Sequence, residues 1–370
     1  MAVISGIGAS DIGRRLGTDP WRLAVAAARE AIADAGLAPE DVDGVSTYPG
    51  AGGSTPGISG AGADDLRTLL GLRTRWHTGA NEVPGQLGAI VNAVLAVAGG
   101  LAEHVLCVRT VWESTAQAQL GGRSGTMRRS TAQERTQWTA PYGASYSTYG
   151  GLDLCRYLHE TGSTREQLGQ VAVTARANAA LNPQAVYRTP LTLDDYLGAR
   201  MISDPLCMYD CDVPVDGALA FVISRATSAA VDRRRAVTLQ ALGSAPGFTA
   251  CADMMWSRTT LTPADVDTAQ LYDGFSTLVL RWLEALRLCP AGEGGRFVAD
   301  GKHIARDGAL PLNTGGGQLS GGRLHGFGGL YEACLQLRGA ADARQVLPRP
   351  EVAVVSSGAE AFTSCLLLAL

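Results

Sequence analysis

One glycine-rich segment holds the residues with the clearest capacity for chemistry. Positions 310–333 read LPLNTGGGQLSGGRLHGFGGLYEA, with eight glycines around His325, directly before a predicted helix. Glycines let a backbone approach a ligand closely, and the first amides of a helix are free to bind an oxyanion. The segment therefore predicts an oxyanion site with His325 as a donor. A glycine-rich turn around a structural histidine is the plainer alternative.

Four further residues of this segment are candidates. Gly316, Gly317 and Gly328 are the predicted points of close contact with a substrate. Tyr331 lies six residues beyond His325 on the same predicted helix, and a separation of six does not place two side chains on one face. Packing is therefore the plainer role for Tyr331, which nevertheless stays a candidate catalytic residue.

A second candidate group is Tyr272-Asp273-Gly274-Phe275-Ser276, at a predicted strand-to-helix junction. Ligands of α/β folds bind at the carboxyl ends of strands, so Tyr272 is a predicted catalytic residue and Asp273 a predicted substrate contact. In the alternative interpretation, Tyr272 covers a core strand and Asp273 or Ser276 caps the helix.

Several chemistries lack their motifs. Gly6 and Gly8, at the end of the first predicted strand, lack the third glycine of a dinucleotide loop. Lys302, followed by His303, does not complete a phosphate loop. No GxSxG elbow occurs at a strand–helix turn. The five histidines have no metal-binding spacing and the eight cysteines form no CxxC pair, so we expect no metal and reduced, mostly buried thiols.

Charge and hydropathy narrow the partners. The net charge is −4, which argues against nucleic acid or an anionic membrane surface as partner. No run of 18 apolar residues and no signal peptide are present, so we expect a cytoplasmic protein. Lys302 is the single lysine, in a segment expected to be exposed, which disfavours Schiff-base catalysis. The arginine-rich run 122–135 is either a solvated loop or a contact for a phosphorylated substrate.

The order of predicted elements occurs twice. A strand at Ala2–Ile7, a helix at Arg22–Ala35 and the turn LAPEDVD at 37–43 begin the first copy. A strand at Val237–Leu242 and the turn LTPADVD at 261–267 begin the second. Repetition of this kind predicts a duplicated α/β fold.

Each half continues in the same way. Small-residue helices at Pro84–Gly99 and Gly326–Gly339 precede buried strands at His104–Thr110 and Glu351–Ser356. The predicted first half comprises residues 1–111 and 216–230, the second half residues 231–370. A polar insertion, residues 112–215, separates them and is expected to form a loop domain that covers the site.

The chain resembles the thiolase superfamily, in particular the sterol-carrier-protein-X/lipid-transfer-protein branch. The resemblance covers nearly the whole chain. It rests on Gln86–Gly99, Arg156–Gly162, Asn182–Tyr187, Val215–Ala218, Tyr272–Phe275, Gly292–Gly295 and Leu310–Gly328. It implies the five-layered thiolase fold with two duplicated βαβαβ-type halves and an inserted loop domain, assembled as a homodimer.

Two departures from this family bear on function. The segment Asn81–Gln86 has no cysteine where thiolases carry their nucleophile, and Ser357-Gly358 stands where they carry a second cysteine in Cys-x-Gly. Without a thiolate, no acyl-enzyme is expected. The resemblance places His325 at the histidine that binds the thioester oxygen and Tyr272 at the asparagine of the oxyanion site. Ser357 and Gly358 become predicted substrate contacts.

The glycine–histidine segment 320–328 is similar to steroid side-chain-cleaving aldolases. The resemblance implies retro-aldol cleavage of a β-hydroxyacyl-CoA to a ketone and a shorter acyl-CoA, with no cofactor other than the CoA of the substrate. Tyr272, or a water that it orients, would accept the β-hydroxyl proton, provided the site lowers its pKa or relays the proton. The resemblance also implies a small zinc-ribbon/OB-fold partner protein, giving a heterotetramer.

Three alternatives stay open at this point. They are a thiolase-like acyltransferase with a displaced cysteine, a synthase that forms the carbon–carbon bond, and a carrier of acyl-CoA or lipid without catalysis. The sequence does not identify the acyl chain, the ketone or the direction of the reaction.

Overall fold

A computed structural model describes residues 2–48, 57–58, 60–79, 86–119, 138, 140–359 and 362–370. Its strands are β1 (Ala2–Ala9), β2 (Gly44–Thr47), β3 (Trp76–Gly79), β4 (His104–Trp112), β5 (Met201–Ser203), β6 (Leu206–Cys207), β7 (Asp216–Arg225), β8 (Val237–Ser244), β9 (Thr268–Gln270), β10 (Val352–Ser357) and β11 (Ser364–Ala369). Its α-helices are Pro20–Asp34, Ala63–Leu70, Gly88–Ala98, Glu113–Gln119, Tyr146–Thr161, Arg165–Ala180, Leu193–Leu197, Phe248–Trp256, Ser276–Ala285, Gly294–Val298 and Phe327–Arg338. None of the helices in these ranges is long and apolar enough to cross a membrane.

Nine of the strands form one sheet in the order β3-β2-β4-β7-β1-β8-β11-β10-β9. The strand order is repeated outward from its centre, where β1 and β8 pair antiparallel. In the first half, β2 lies between β3 and β4 and is parallel to both. In the second half, β9 is parallel to β10. On its other side a parallel bridge joins Ala269 to Leu312, at the position equivalent to β3. The duplication predicted from the sequence therefore organises the sheet.

The repeated turns make the same contact in both halves. Asp43 accepts a hydrogen bond from the backbone N–H of His104, the first residue of β4, at 2.8 Å. Asp267 accepts one from the N–H of Val352, the first residue of β10, at 2.9 Å. Each aspartate thus joins the strand that follows it to the neighbouring parallel strand, which explains why the motif recurs.

The buried cores define five layers. Alternate residues of β7 point to opposite faces of the sheet: Phe221 joins the central core and Ala220 an outer core. The central core contains the helices Gly88–Ala98 and Phe327–Arg338 between the two halves of the sheet. The outer layers are Pro20–Asp34 with Ala63–Leu70 on one side and Phe248–Trp256 with Ser276–Ala285 on the other. This is the five-layered α/β arrangement that the resemblance implied.

Helices of the segment 112–215 pack on the second half. Tyr157, from Tyr146–Thr161, and Leu168, from Arg165–Ala180, share one buried core with Trp282. The Tyr157 hydroxyl donates a hydrogen bond to Glu284 of the helix Ser276–Ala285. The insertion thus lies on the same side of the molecule as the Tyr272–Ser276 turn.

Helix Pro20–Asp34 lies directly on the backbone of β1. Its start is specified by Asp19, which accepts a hydrogen bond from Trp21 N–H at 2.8 Å, and by proline at the first helical position. Its buried face is mostly alanine, which allows a close approach. A Cβ on Gly8 would lie 2.3 Å from the carbonyl oxygen of Ala27, closer than atoms can pack.

We predict that Gly8→Ala destabilises the fold, because the added methyl meets backbone and the helix must move away from β1. Overpacking of this kind costs about 1–3 kcal/mol, measured by urea-induced unfolding. Gly198→Ala is the matched control, since Gly198 has ordinary right-handed helical angles. It should change the free energy of unfolding by less than about 0.5 kcal/mol. Equal stability of the two variants would contradict the close-packing argument.

Candidate active site

His325 is buried in the turn between the π-helical turn Gly317–Gly321 and the helix Phe327–Arg338. The guanidinium of Arg109 donates a hydrogen bond from Nη2 to its Nδ1 at 2.9 Å. Arginine has no acceptor, so Nδ1 accepts and the imidazole proton is on Nε2. Burial, followed by the positive charges of Arg109 and Arg323, lowers the pKa of His325 well below 6.5. The side chain is therefore a neutral Nε2–H donor.

Arg109 lies on β4 and is 1% exposed. Its Nη1 donates to the carbonyl oxygens of Tyr48 at 2.8 Å and Ile58 at 3.1 Å. Burial lowers its pKa to about 10, so the guanidinium is still charged at neutral pH. Sequence reasoning missed this residue, because it treated His104–Thr110 as an ordinary buried strand. A charged residue within that apolar run was the available signal.

Asp273 holds the glycine-rich segment in place. Its carboxylate accepts the backbone N–H of Gln318 at 2.9 Å and that of Leu319 at 3.3 Å. Gln318 in turn accepts the backbone N–H of His325 on Oε1 at 3.0 Å. Burial raises the pKa of Asp273 to about 7. The structure thus gives Asp273 a supporting role, and its contact with substrate stays a prediction.

The predicted substrate-contact glycines also have structural explanations. Gly317 has φ +57°, and a Cβ there would lie 2.0 Å from Asp273 Oδ2. A Cβ on Gly316 would lie 2.6 Å from the Ala179 side chain. Both glycines allow the segment to pass close to its neighbours. Gly328 is less constrained, because a Cβ there would lie 3.7 Å from the Leu324 side chain, an ordinary van der Waals contact.

Ser357 and Tyr272 are joined through Gln86. The Ser357 hydroxyl donates to Gln86 Oε1 at 2.9 Å, and Gln86 Nε2 donates to the Tyr272 hydroxyl at 3.1 Å. Ser357 also lies against Gly326, where a Cβ would be 2.5 Å from its Oγ. Gln86, which sequence reasoning did not single out, therefore connects the residues on either side of the site. Gly358 contributes a carbonyl that accepts from Trp282 Nε1 at 3.1 Å.

Neither thiolase cysteine position offers a nucleophile. Ser357 donates its proton to an amide oxygen, which is no base, so its hydroxyl is not activated. The other position, in Asn81–Gln86, has no cysteine in the sequence, and its residues before Gln86 lie outside the described ranges. The arginine-rich run 122–135 also lies outside them.

Tyr272 is not activated as a base. Burial, and then the nearby carboxylate of Asp212, raise the pKa of Tyr272 above its usual value of 10, although the hydrogen bond from Gln86 opposes the rise. The sequence-based mechanism required a lowered pKa or a proton relay. Because its surroundings raise the pKa, Tyr272 keeps its proton at neutral pH and holds a proton that a strongly basic carbanion or enolate can take.

Arg323 connects the site to two carboxylates. Its Nε donates to Glu113 Oε2 at 2.7 Å, and its Nη1 donates to Asp212 Oδ1 at 2.9 Å. Burial raises the pKa of Asp212 to about 6. Arg109 and Arg323 thus place two positive charges near His325, where a substrate anion would be stabilised.

Tyr331 has different surroundings. A narrow crevice beneath the glycine-rich segment is lined by both Tyr272 and Tyr331. The charges that act on Tyr331, however, are those of Glu30, Asp34, Arg344 and Glu332, and burial raises its pKa to about 12. No hydrogen bond in the described structure connects Tyr331 to His325 or Tyr272, which favours the packing role.

Two other predicted features can be placed. Lys302 is exposed, as expected. Six of the eight cysteines are buried, Cys155 is exposed, and all eight are free thiols. In the described ranges, no group of three or more histidine, cysteine, aspartate or glutamate side chains could hold a metal.

Comparison with known proteins agrees with this geometry. Residues 227–369 match the family model "Thiolase C-terminal domain-like". The chain is 34% identical, over 361 aligned positions, to the 17-hydroxy-3-oxo-4-pregnene-20-carboxyl-CoA lyase of Mycobacterium tuberculosis, covering 91% of this chain and 92% of the relative. It is also 34% identical to a steroid side-chain-cleaving aldolase of Thermomonospora curvata, covering 96% of both. The chain belongs to the thiolase-like aldolases.

A solved structure of this family extends the match to the fold. The Ltp2-ChsH2(DUF35) aldolase superposes on the whole of this chain, and on 97% of its own, with a TM-score of 0.87 and 31% identity. The resemblance and the fold class predicted from the sequence are therefore confirmed. The chain is an enzyme of the lyase class, since its relatives at 34% identity over most of its length are lyases and aldolases.

We predict that His325 stays neutral from pH 5 to 8 with its proton on Nε2, because Arg109 occupies Nδ1 and two cations oppose protonation. Nitrogen-15 NMR of the imidazole measures both properties, with the signal assigned from the spectrum of His325→Gln. In Arg109→Gln the pKa of His325 should rise and the signal should titrate within this range. A His325 signal that titrates near pH 6.5 in the wild type would contradict the arrangement.

Proposed function

We propose that this aldolase cleaves a β-hydroxyacyl-CoA, of the steroid side-chain class, to a ketone and a shorter acyl-CoA. The relatives named above act on CoA thioesters of this kind or cleave steroid side chains. The observation that carries the proposal is the Arg109–His325 hydrogen bond, which sets a neutral donor in a site that has neither thiolase cysteine and no activated nucleophile among its described residues. Such a site stabilises an enolate and forms no acyl-enzyme.

The bond changes of the reaction assign the role of His325. The β-hydroxyl loses its proton, the Cα–Cβ bond breaks, and the electron pair moves onto the thioester as an enolate. His325 Nε2–H donates to the enolate oxygen, while Arg109 and Arg323 favour its negative charge. One such donor is typically worth about 3–4 kcal/mol in the transition state.

Tyr272 completes the reaction from the other side. Its raised pKa keeps the phenol protonated, and the hydrogen bond that it accepts from Gln86 leaves its own O–H free to point elsewhere. We assign to it the transfer of a proton to Cα of the enolate, which yields the shorter acyl-CoA. This replaces its predicted role as the first proton acceptor.

No cofactor beyond the CoA of the substrate enters this scheme. The exposed Lys302 has no part in it, and the enolate is held by hydrogen bonds and positive charge. The same residues would stabilise the same enolate in an aldol addition, so the direction follows from the concentrations of the reactants.

We further propose a homodimer that binds a small zinc-ribbon/OB-fold protein. The description of the superposable aldolase names two components, Ltp2 and ChsH2(DUF35). The binding of such a partner would hold the nucleotide end of the substrate. Light scattering of the chain alone and mixed with a DUF35 protein from its own genome tests the assembly, and a mass unchanged on mixing would contradict it.

A panel of β-hydroxyacyl-CoAs, with and without a steroid nucleus, tests the function. Mass spectrometry should detect the ketone and the shorter acyl-CoA in equal amounts. His325→Gln serves as the inactive control and should lose about 100- to 1000-fold in rate. Tight binding without turnover of any member would favour a carrier, and consumption of free CoA would favour a thiolase.

We predict that Tyr272→Phe lowers kcat by about 100- to 10,000-fold with little change in KM, because only the proton donor is lost. Tyr331→Phe removes an equivalent hydroxyl from a residue with different surroundings. Its kcat should stay within about threefold of the wild-type value. Steady-state kinetics on one cleaved substrate decides between them. The reverse order of effects would assign the proton transfer to Tyr331.

We predict that thiol alkylation leaves the enzyme active. Burial raises the pKa of Cys207 to about 11 and of Cys334 to about 12, which keeps these thiols protonated. Cys155 is exposed, but it lies on the outer helix Tyr146–Thr161. Iodoacetamide treatment followed by mass spectrometry should find Cys155 modified and turnover retained. Loss of activity in proportion to one modified cysteine would return a thiolase mechanism.

A further inference from the structure

The retro-aldol step leaves one chemical role unfilled. A group near Tyr272 must accept the β-hydroxyl proton, and Tyr272 itself is protonated. Three carboxylates of the described structure lie around this part of the site: Glu113, Asp212 and Asp273. Their hydrogen bonds decide which is available.

Two of the three, Asp273 and Glu113, have other partners. Both oxygens of Asp273 accept backbone N–H groups of the glycine-rich segment, so a proton there would release the segment that carries His325. Glu113 follows β4 and is held by two nitrogens of Arg323, Nε at 2.7 Å and Nη2 at 2.6 Å. Its Oε1 has no hydrogen-bond partner in the described structure, so the choice against Glu113 rests on position: the charge of Glu113 acts on Arg109, whereas the charge of Asp212 acts on Tyr272.

Asp212 lies directly against the Tyr272 turn. Its backbone N–H donates to the carbonyl of Gly274 at 3.3 Å. The Tyr272 ring covers the other side of the same glycine, because a Cβ on Gly274 would lie 3.1 Å from the phenol oxygen. The ion pair with Arg323 engages Oδ1 at 2.9 Å, so Oδ2 lies outside that pair. Its side chain is 11% exposed, which leaves access for a substrate.

We propose that Asp212 is the general base of the aldolase, accepting the β-hydroxyl proton while Arg323 holds its carboxylate. This rests on the proposed function. The O–H bond of the substrate breaks, the proton binds Asp212, and the C–O bond becomes the ketone carbonyl as Cα–Cβ breaks. Tyr272 then protonates Cα, and the proton on Asp212 returns to the Tyr272 phenolate. The cycle is balanced and needs no further reactant.

The surroundings of Asp212 match this role. The charged and titratable groups that face it are Arg323, Glu113, Tyr272, Asp273 and Cys211. Burial raises its pKa to about 6, against the opposing effect of Arg323. A base whose pKa lies just below neutral is deprotonated at pH 7 yet still binds a proton. Activity should therefore fall as the pH drops through about 6.

The variant Asp212→Asn of the full chain tests the proposal. It is assayed under the conditions in which the wild type cleaves substrate, with the partner protein present if the wild type requires it. It should lower kcat by about 100- to 10,000-fold with KM within threefold, and the acidic limb of the kcat–pH profile should disappear. Asp212→Glu keeps a carboxylate, so its kcat should exceed that of the asparagine variant and its acidic limb should persist at a shifted pH. Glu113→Gln is the matched control, since it removes the other partner of Arg323 and should keep the limb.

Three results would overturn the assignment. The first is an Asp212→Asn enzyme within tenfold of wild type that keeps its acidic limb. The second is an acidic limb of Asp212→Glu at the same pH as in the wild type, a result that can be obtained even if the asparagine variant does not fold. The third is loss of the limb in Glu113→Gln. If the wild type cleaves no β-hydroxyacyl-CoA, the proposed function itself is refuted. That failure is distinguishable from failure of the Asp212 assignment, because it is observed with the wild type before any variant is made.

Discussion

The buried charge of Arg109 is the constraint on which the site depends. A guanidinium that is 1% exposed needs acceptors for its protons. Its two terminal nitrogens find them in two carbonyl oxygens and in Nδ1 of His325, while its Nε has no hydrogen-bond partner in the described structure. An imidazole that accepts from a cation cannot itself carry a positive charge at neutral pH. The need to satisfy one buried arginine therefore determines both the charge and the tautomer of the histidine.

The duplicated fold brings this pair together. Arg109 comes from β4 of the first half, and His325 immediately precedes the central helix of the second half, 216 positions later in the chain. The central layer is the part of the molecule where both halves share one core. Asp273, at the end of a second-half strand, then fixes the loop that carries His325. The site is thus a product of the contact between the halves.

Local patterns in the sequence predict the helices and strands and part of the site. Periodicity and glycine positions predict the helix at 326–339 to within one residue at each end of Phe327–Arg338, and they direct attention to His325 and Tyr272. They do not reveal Arg109, Gln86 or Asp212. These residues act through contacts between segments far apart in the chain. Burial raises the pKa of Tyr272, and Asp212, which the insertion contributes, raises it further. No local spacing encodes such contacts.

The neutrality of His325 has a consequence for the chemistry. An imidazolium would be acidic enough to give its proton to the enolate oxygen, whereas a neutral Nε2–H stabilises that oxygen and keeps its proton. In the proposed reaction the enolate is then protonated at carbon, by the proton that we assign to Tyr272. In a thiolase the enolate attacks an acyl group carried on cysteine; here Ser357 is bonded to Gln86 and no such acyl group forms. Protonation at carbon is the remaining outcome, and it completes the cleavage of the carbon–carbon bond.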